Sequence, residues 1–183
     1  MNPTQHDNPA AQGPATPESL RLGVDPVTLN LAGGDDARRV AAALARQAQR
    51  SLLMHTPDLE AQSYDRQPFL DAVSALVRRH HGAAFEILLG DPARVVRDGH
   101  RLVELARRLG SGIRIRRIAR QYRGYPGTFL LADDCGYLYR PLASRYEGIA
   151  GFNNPGEVSR LGSYFREVWE HSEPEMELRR LYL

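Results

Sequence analysis

The densest run of reactive side chains lies between Ile113 and Tyr125, where "IRIRRIARQYRGY" carries Arg114, Arg116, Arg117, Arg120 and Arg123 with no acid among them. Tyr122 and Tyr125 interleave these arginines. Guanidinium forks hold phosphate oxygens and aromatic faces stack bases, so the stretch suits a nucleic acid or a phosphorylated small molecule. The competing reading is a solvated strand face that runs on into a loop. A second group follows in "YRPLASRYEG", where Arg140 or Arg145 could hold an anion beside Tyr146 and Glu147. Alternatively, an Arg145–Glu147 or Arg140–Asp133 ion pair fixes that loop. A third candidate is "MHTPDLE", with His55 and Asp58 at the C-terminal end of an expected strand, where open α/β sheets gather their ligands. The two could form a general acid/base pair, or His55 could be a hydrogen-bonded structural residue.

All 24 basic residues are arginine and lysine is absent. No step that needs an ammonium group, a Schiff base or a P-loop lysine can therefore be supplied by this chain. The single Cys135 cannot staple the fold or build a cysteine-based zinc site. No cofactor pattern stands out: "AGGDDARR" lacks the G-x-G-x-x-G spacing, and its aspartates would repel a pyrophosphate. No stretch approaches the run of apolar residues that a membrane helix needs, and the first twenty residues lack a basic and an apolar signal region, so a cytoplasmic protein with no membrane partner is expected.

The elements that would position these groups follow from periodicity. Residues 1–26 hold five prolines without apolar periodicity and are expected to be a disordered tail, with one domain over 27–183. "VTLNLAG" suggests a strand, and within 33–50 glycines make a turn before a helix of about fifteen residues capped by Asp35 or Asp36. Strands are expected at 51–56 and 84–91, with a helix from Gln67 to Gly82 between them. "DPARVVRDGHRLVELARRLG" reads as one helix capped by Asp91, with Pro92 in its first turn and Gly110 at its end. Residues 112–118 alternate as a half-exposed strand, and 128–133 with 136–141 form a hairpin. Helix 155–171 turns Val158, Leu161, Phe165, Val168 and Trp169 inward, and "ELRRLYL" adds an edge strand or docks. This alternation predicts an α/β fold with a mostly parallel central sheet, flanking helices and one antiparallel hairpin.

The first strand of that hairpin, "PGTFLLADD", ends on Asp133 and Asp134. Here, and in the order of its elements, the chain resembles the phospholipase D superfamily, whose halves carry H-x-K-x4-D on the strand before a hairpin. The resemblance covers about residues 27–183 and extends to "YFREVWEHS". More narrowly it looks like a bacterial family of degenerate phospholipase D-like domains, found alone or joined to GNAT-type acetyltransferases, on the strength of "HRLVELARRL", "FLLAD", "GYLYRP", "RYEG" and "ELRRL". The resemblance puts Pro126 at the nucleophile position and Thr128 at the lysine position, leaving only Asp133. Proline has no nucleophile and threonine no charge, so phosphohistidine catalysis at this strand is excluded. Asp133 then reads as a strand exit that receives backbone donors, with Asp134 starting the turn.

The sequence thus points to a non-catalytic phospholipase D-like domain that binds an anion, either a nucleic acid or a phosphorylated ligand. The rival readings are an interaction module acting beside an acetyltransferase, and an enzyme relocated to His55 and Asp58. Because the resembling enzymes set two halves face to face, a single half implies a homodimer.

Overall fold

Short β-rich runs separated by amphipathic helices give one sheet with a helical layer on each face. The computed structural model describes residues 15–80, 82 and 84–175. In chain order it places β1 (Thr28–Leu31), α1 (Gly34–Gln47), β2 (Leu52–Thr56), α2 (Ala61–Tyr64), α3 (Gln67–Arg78), β3 (Phe85–Leu89), α4 (Pro92–Asp98) and α5 (Arg101–Leu109). Then follow β4 (Ile113–Arg117), β5 (Thr128–Ala132), β6 (Gly136–Arg140), β7 (Gly148–Gly151), α6 (Pro155–His171) and β8 (Glu173–Pro174). The strand order is β1-β7-β6-β5-β2-β3-β4-β8.

Side-chain alternation sorts the core into two layers. Leu52 and Met54 of β2 face one way with Phe85, Ile87, Ile113 and Ile115, packing against Val40, Leu44, Val73, Leu76 and Leu102 of α1, α3 and α5. Leu88, Phe129, Leu131 and Tyr137 face the other way, onto Val158, Leu161, Phe165, Val168 and Trp169 of α6. Each of those five α6 residues was expected inward, and the helix bounds agree with the sequence. β5 runs between β2 and β6 and is buried along its whole length.

The α/β class is as expected, but the sheet is largely antiparallel. Only β2–β3 and β3–β4 are parallel, while β1–β7, β2–β5, β5–β6, β6–β7 and β4–β8 are antiparallel. Part of the mismatch comes from β7, whose sequence "GIAG" has neither β-branched enrichment nor alternation yet pairs with both β6 and β1, and the rest from β5 and β8, which run antiparallel to β2 and β4. The helix expected across 91–110 is two helices. Gly99 takes φ +73°, which breaks the run, and His100 restarts it by accepting the Leu102 N–H at its Nδ1. Asp91 does cap α4, by accepting the Arg94 N–H at 3.2 Å. At α1, however, the capping position is Gly33, and Asp35 and Asp36 fall within the first turn.

Residues 15–26 also differ from the expected tail. Leu20 is buried in the core, and the Gln47 side chain accepts from Leu22 N and donates to Leu20 O, both at 2.9 Å. Two apolar residues in a proline-rich stretch suffice to dock it, because their backbone groups find a ready amide on α1. Residues 1–14 and "ELRRLYL" lie outside the described residues. Among the described residues no helix is long and apolar enough to cross a membrane.

Candidate functional site

β2, β3 and β4 end at one edge of the sheet, and β5, antiparallel to β2, begins there. The loops that follow these strands meet around the start of β5. They enclose a depression of about 190 Å³ lined by His55, Tyr122, Arg123, Tyr125, Pro126 and Gly127, among others. A second depression of about 570 Å³ shares Pro57 and Ala143 with it and has Asp58, Glu60, Arg94, His100 and Tyr146 in its wall.

His55 is 3% exposed. Its ring stacks on Phe129 at 5.3 Å and meets the edge of Tyr125 at 5.1 Å, with Tyr164 at 5.8 Å. Neither ring nitrogen meets full hydrogen-bond geometry among the described residues, though the Gly127 backbone lies near enough to interact with the ring. Burial pushes its pKa down to about 4, against an opposing pull from the Gly127 backbone, so the ring is neutral near pH 7. The ring thus sits in an aromatic cage with the Gly127 backbone as its polar neighbour. The structure does not join His55 to Asp58, which pairs with Arg94 at 2.6 Å and accepts the Glu60 N–H at 3.2 Å. Asp58 lines the larger depression and His55 the smaller.

The candidate arginines divide into two sets. Arg140 is 2% exposed and lies at the end of β6. It donates to Glu60 Oε2 and Ala143 O, and through Nε to Arg145 O at 2.7 Å, while its guanidinium covers Tyr146 at 4.7 Å. Burial raises the Glu60 pKa and Arg140 pulls it back. With all three nitrogens engaged and the group buried, it is not presented to an anion, so the expectation for Arg140 is corrected: it fixes the 141–147 loop. Its acid is Glu60, 80 residues away, rather than Asp133. Tyr146 completes the same cluster, its hydroxyl donating to Gln62 Oε1 at 3.2 Å. Arg116 is likewise committed. It lies 4.6 Å over the Trp169 ring and donates to Trp169 O at 2.6 Å and Ser172 O at 3.3 Å, holding the C-terminal end of α6.

Arg114, Arg120, Arg123 and Arg145 are exposed, as is Glu147. Arg114 stands opposite Glu86 in the middle of the β3–β4 ladder, away from the loops. Arg120 and Arg123 lie in the 118–127 loop with Tyr122 and Tyr125. Arg123 donates its Nε to Ile118 O at 3.2 Å, and neither guanidinium has an ion-pair partner among the described residues.

The opposite end of β5 carries the other sequence-marked carboxylate. Asp133 Oδ1 accepts the Arg50 and Ser51 N–H groups at 2.8 and 3.0 Å, and Oδ2 accepts Gln49 N–H at 2.9 Å. This is the strand exit expected from the sequence, with Asp134 paired to Arg50 at 2.5 Å. Asp133, which could have joined His55, Asp58, Tyr146 and Glu147 in one pocket, lines neither depression. At the near end, Pro126 lines the small depression. The Thr128 hydroxyl, 1% exposed, donates to His55 O at 2.8 Å.

Sequence reasoning missed Glu60 and Tyr164. Neither has a local signal, because each acts through a partner far away in the chain. Leu59 and Glu60 take φ +62° and +34°, an arrangement rare outside glycine that the Glu60–Arg140 pair holds in place.

This sheet order, with helices on both faces, has the phospholipase D-like fold. Nuc from Salmonella typhimurium, a phospholipase D family member, superposes with a TM-score of 0.59 at 12% identity over 82% of this chain and 99% of that one. NucT from Helicobacter pylori gives 0.59 at 11% identity, again over 82% and 99%. TrmBL2, an archaeal chromatin protein whose structure shows a novel mode of DNA binding, gives 0.60 at 15% identity over 85% of this chain and 56% of that one. The chain thus spans little more than half of TrmBL2 but nearly all of the two phospholipase D relatives in fold. By sequence, residues 33–181 match the family described as "Domain of unknown function (DUF7931)", and the chain belongs to it. No curated protein matches the chain by sequence.

Proposed function

We propose that this is a non-catalytic phospholipase D-like domain that binds single-stranded nucleic acid at the edge of the sheet where β5 begins. The observation that carries the reading is the 118–127 loop, in which Arg120 and Arg123 are exposed with no ion-pair partner among the described residues and Tyr122, Arg123 and Tyr125 line the small depression. Phosphate contacts from the arginines and stacking on the tyrosines together describe a single-strand groove. DNA binding by TrmBL2, which shares the fold, supports the same class of ligand. Arg145, exposed in the 141–147 loop, adds to the basic surface. Pro126 and Thr128 leave the strand without a nucleophile or a phosphate-holding charge, so binding proceeds without phosphodiester cleavage. A second copy facing this edge would double the basic surface, which favours a homodimer as the working form, and the expected location is cytoplasmic.

The test is a salt titration of oligonucleotide binding. Each phosphate contact on a single strand contributes a slope of roughly −0.7 in log affinity against log salt. Two contacts from Arg120 and Arg123 give a slope of about −1.4, which the double alanine variant loses while Arg46→Ala on α1 keeps it. Salt-independent binding, or none, ends this reading and favours the interaction module beside an acetyltransferase.

A further inference from the structure

Four arginines line a depression of about 500 Å³ between α1 and α3, on the helical layer that covers the Leu52 and Met54 face of the sheet. Arg38, Arg39 and Arg46 come from α1, and Arg66 from the residue that precedes α3. One carboxylate, Glu18, stands among them. It is consumed by Arg39, which donates Nε and Nη2 to it at 2.9 and 2.7 Å. Arg38 pairs with Asp35 of its own helix. Arg46 and Arg66 are exposed and have no ion-pair partner among the described residues. Arg66 gives only its Nε, to Gln62 O at 3.2 Å.

The floor between these charges is apolar. Positions 38, 42 and 46 recur on one side of α1 at four-residue spacing, so Ala42, with Ala43 beside it, falls midway between the arginines. Alanine carries no more than a methyl group, which leaves room above the helix for larger apolar side chains. Phe69 of α3 closes the floor at 1% exposed, its ring engaged by Tyr64 and Phe85 at 5.2 and 6.2 Å. No other aromatic residue lines the groove, so it presents no open ring face for a base to stack on, unlike the 118–127 loop.

We infer that this groove docks an acidic amphipathic helix of a partner protein. Apolar side chains of the partner lie over Ala42 and Ala43, and the carboxylates that flank them pair with Arg46 and Arg66. Arg38 and Arg46 stand about 12 Å apart along α1 at 1.5 Å per residue, so acids two turns apart on the facing helix match them. In such docking the apolar face supplies most of the affinity, and the rim charges fix partner and register. Charge complementarity selects the occupant: four guanidiniums against one carboxylate leave the rim strongly positive, and two of the four are uncompensated. The inference is independent of the nucleic-acid reading, because the groove and the small depression share no residue.

The experiment uses a fluorescein-labelled peptide of about sixteen residues, enough to cover the length of α1, with leucines along one helical face and glutamates flanking them. A second peptide has glutamine in place of every glutamate. By fluorescence anisotropy in low salt, wild type binds the acidic peptide at least about tenfold more tightly than the neutral one, and Arg46→Glu with Arg66→Glu removes that preference. Hydrogen–deuterium exchange of the wild-type chain slows across 38–46 and 66–69 on adding the acidic peptide, a readout that stands if the variant does not fold. Equal binding of the two peptides, a preference that survives in the double variant, protection confined to other segments, or no binding of either peptide overturns the inference. Each of these leaves the nucleic-acid reading standing, because that reading rests on Arg120 and Arg123. Displacement of the acidic peptide by oligothymidylate overturns the inference too, and would make the groove a nucleic-acid surface.

Discussion

β5 has one end that is finished and one that is open. At Asp133 every carboxylate oxygen has a backbone donor: three N–H groups of the α1–β2 connection converge on it, and the neighbouring Asp134 has its own arginine. At the Thr128 end, five residues away, a buried imidazole on the next strand has no side-chain hydrogen-bond partner among the described residues, and the loop above it exposes arginines with no ion-pair partner among them. Both ends are built of residues capable of chemistry. The difference is whether their hydrogen-bonding capacity is consumed within the chain, and that separates a structural polar group from one held for a ligand. Arg140 sharpens the point, since it stands at the open end yet is consumed like Asp133.

If the consumed groups are structural, removing them damages folding. Arg140→Ala strands Glu60 without a counter-charge in a buried site and should cost about 3–5 kcal/mol, read from urea denaturation. Asp133→Ala removes the acceptor for three backbone donors in a half-buried position and should cost about 2–4 kcal/mol, with Asp133→Asn recovering part of it because asparagine tolerates the φ of +52°. A loss below 1 kcal/mol in either variant would blur the distinction between the two ends.

The unconsumed group should behave in the opposite sense. His55 in the folded chain titrates at about 4, below its ordinary value of 6.5. The unfolded chain therefore binds the proton first as pH falls. The stability tied to the neutral ring is complete above pH 6.5 and is lost between there and about pH 4. The size of that loss is about 3 kcal/mol. His55→Phe should abolish this part of the acid sensitivity, seen as wild type losing more stability than the variant between pH 7 and 4.5. At pH 7 the same variant should be neutral or gain up to about 1 kcal/mol, because it removes a buried polar group that no side chain satisfies. A clear loss at pH 7 would mean that the imidazole has a structural partner. Smallest of all, Arg120→Ala with Arg123→Ala should change stability by less than about 0.5 kcal/mol, since both side chains are exposed and unpaired.

The finished end was the more legible in the sequence. A strand exit on paired aspartates is local chemistry: the apolar run, the two carboxylates and the turn lie within nine residues, and no distant partner has to be guessed. α6 was legible for a similar reason, since its five inward residues recur at helical spacing. The open end was only half legible. The arginine stretch could be seen, but which arginines were free could not, because that depends on Trp169 for Arg116 and on Glu60 for Arg140, both far along the chain. Part of the sheet's direction was hidden in the same way, in four residues of β7 whose pairing on both sides leaves no mark in their own sequence.

The central claim, that the chain receives a nucleic acid at the open end of β5 and not elsewhere, is tested most directly by hydrogen–deuterium exchange with and without a saturating oligothymidylate in low salt. The account predicts slower exchange across 118–127, with no change at 49–51 or 133–136. Protection that falls instead on the arginine-lined groove between α1 and α3, where Arg38, Arg46 and Arg66 lie, or protection that spares 118–127 altogether, would contradict it.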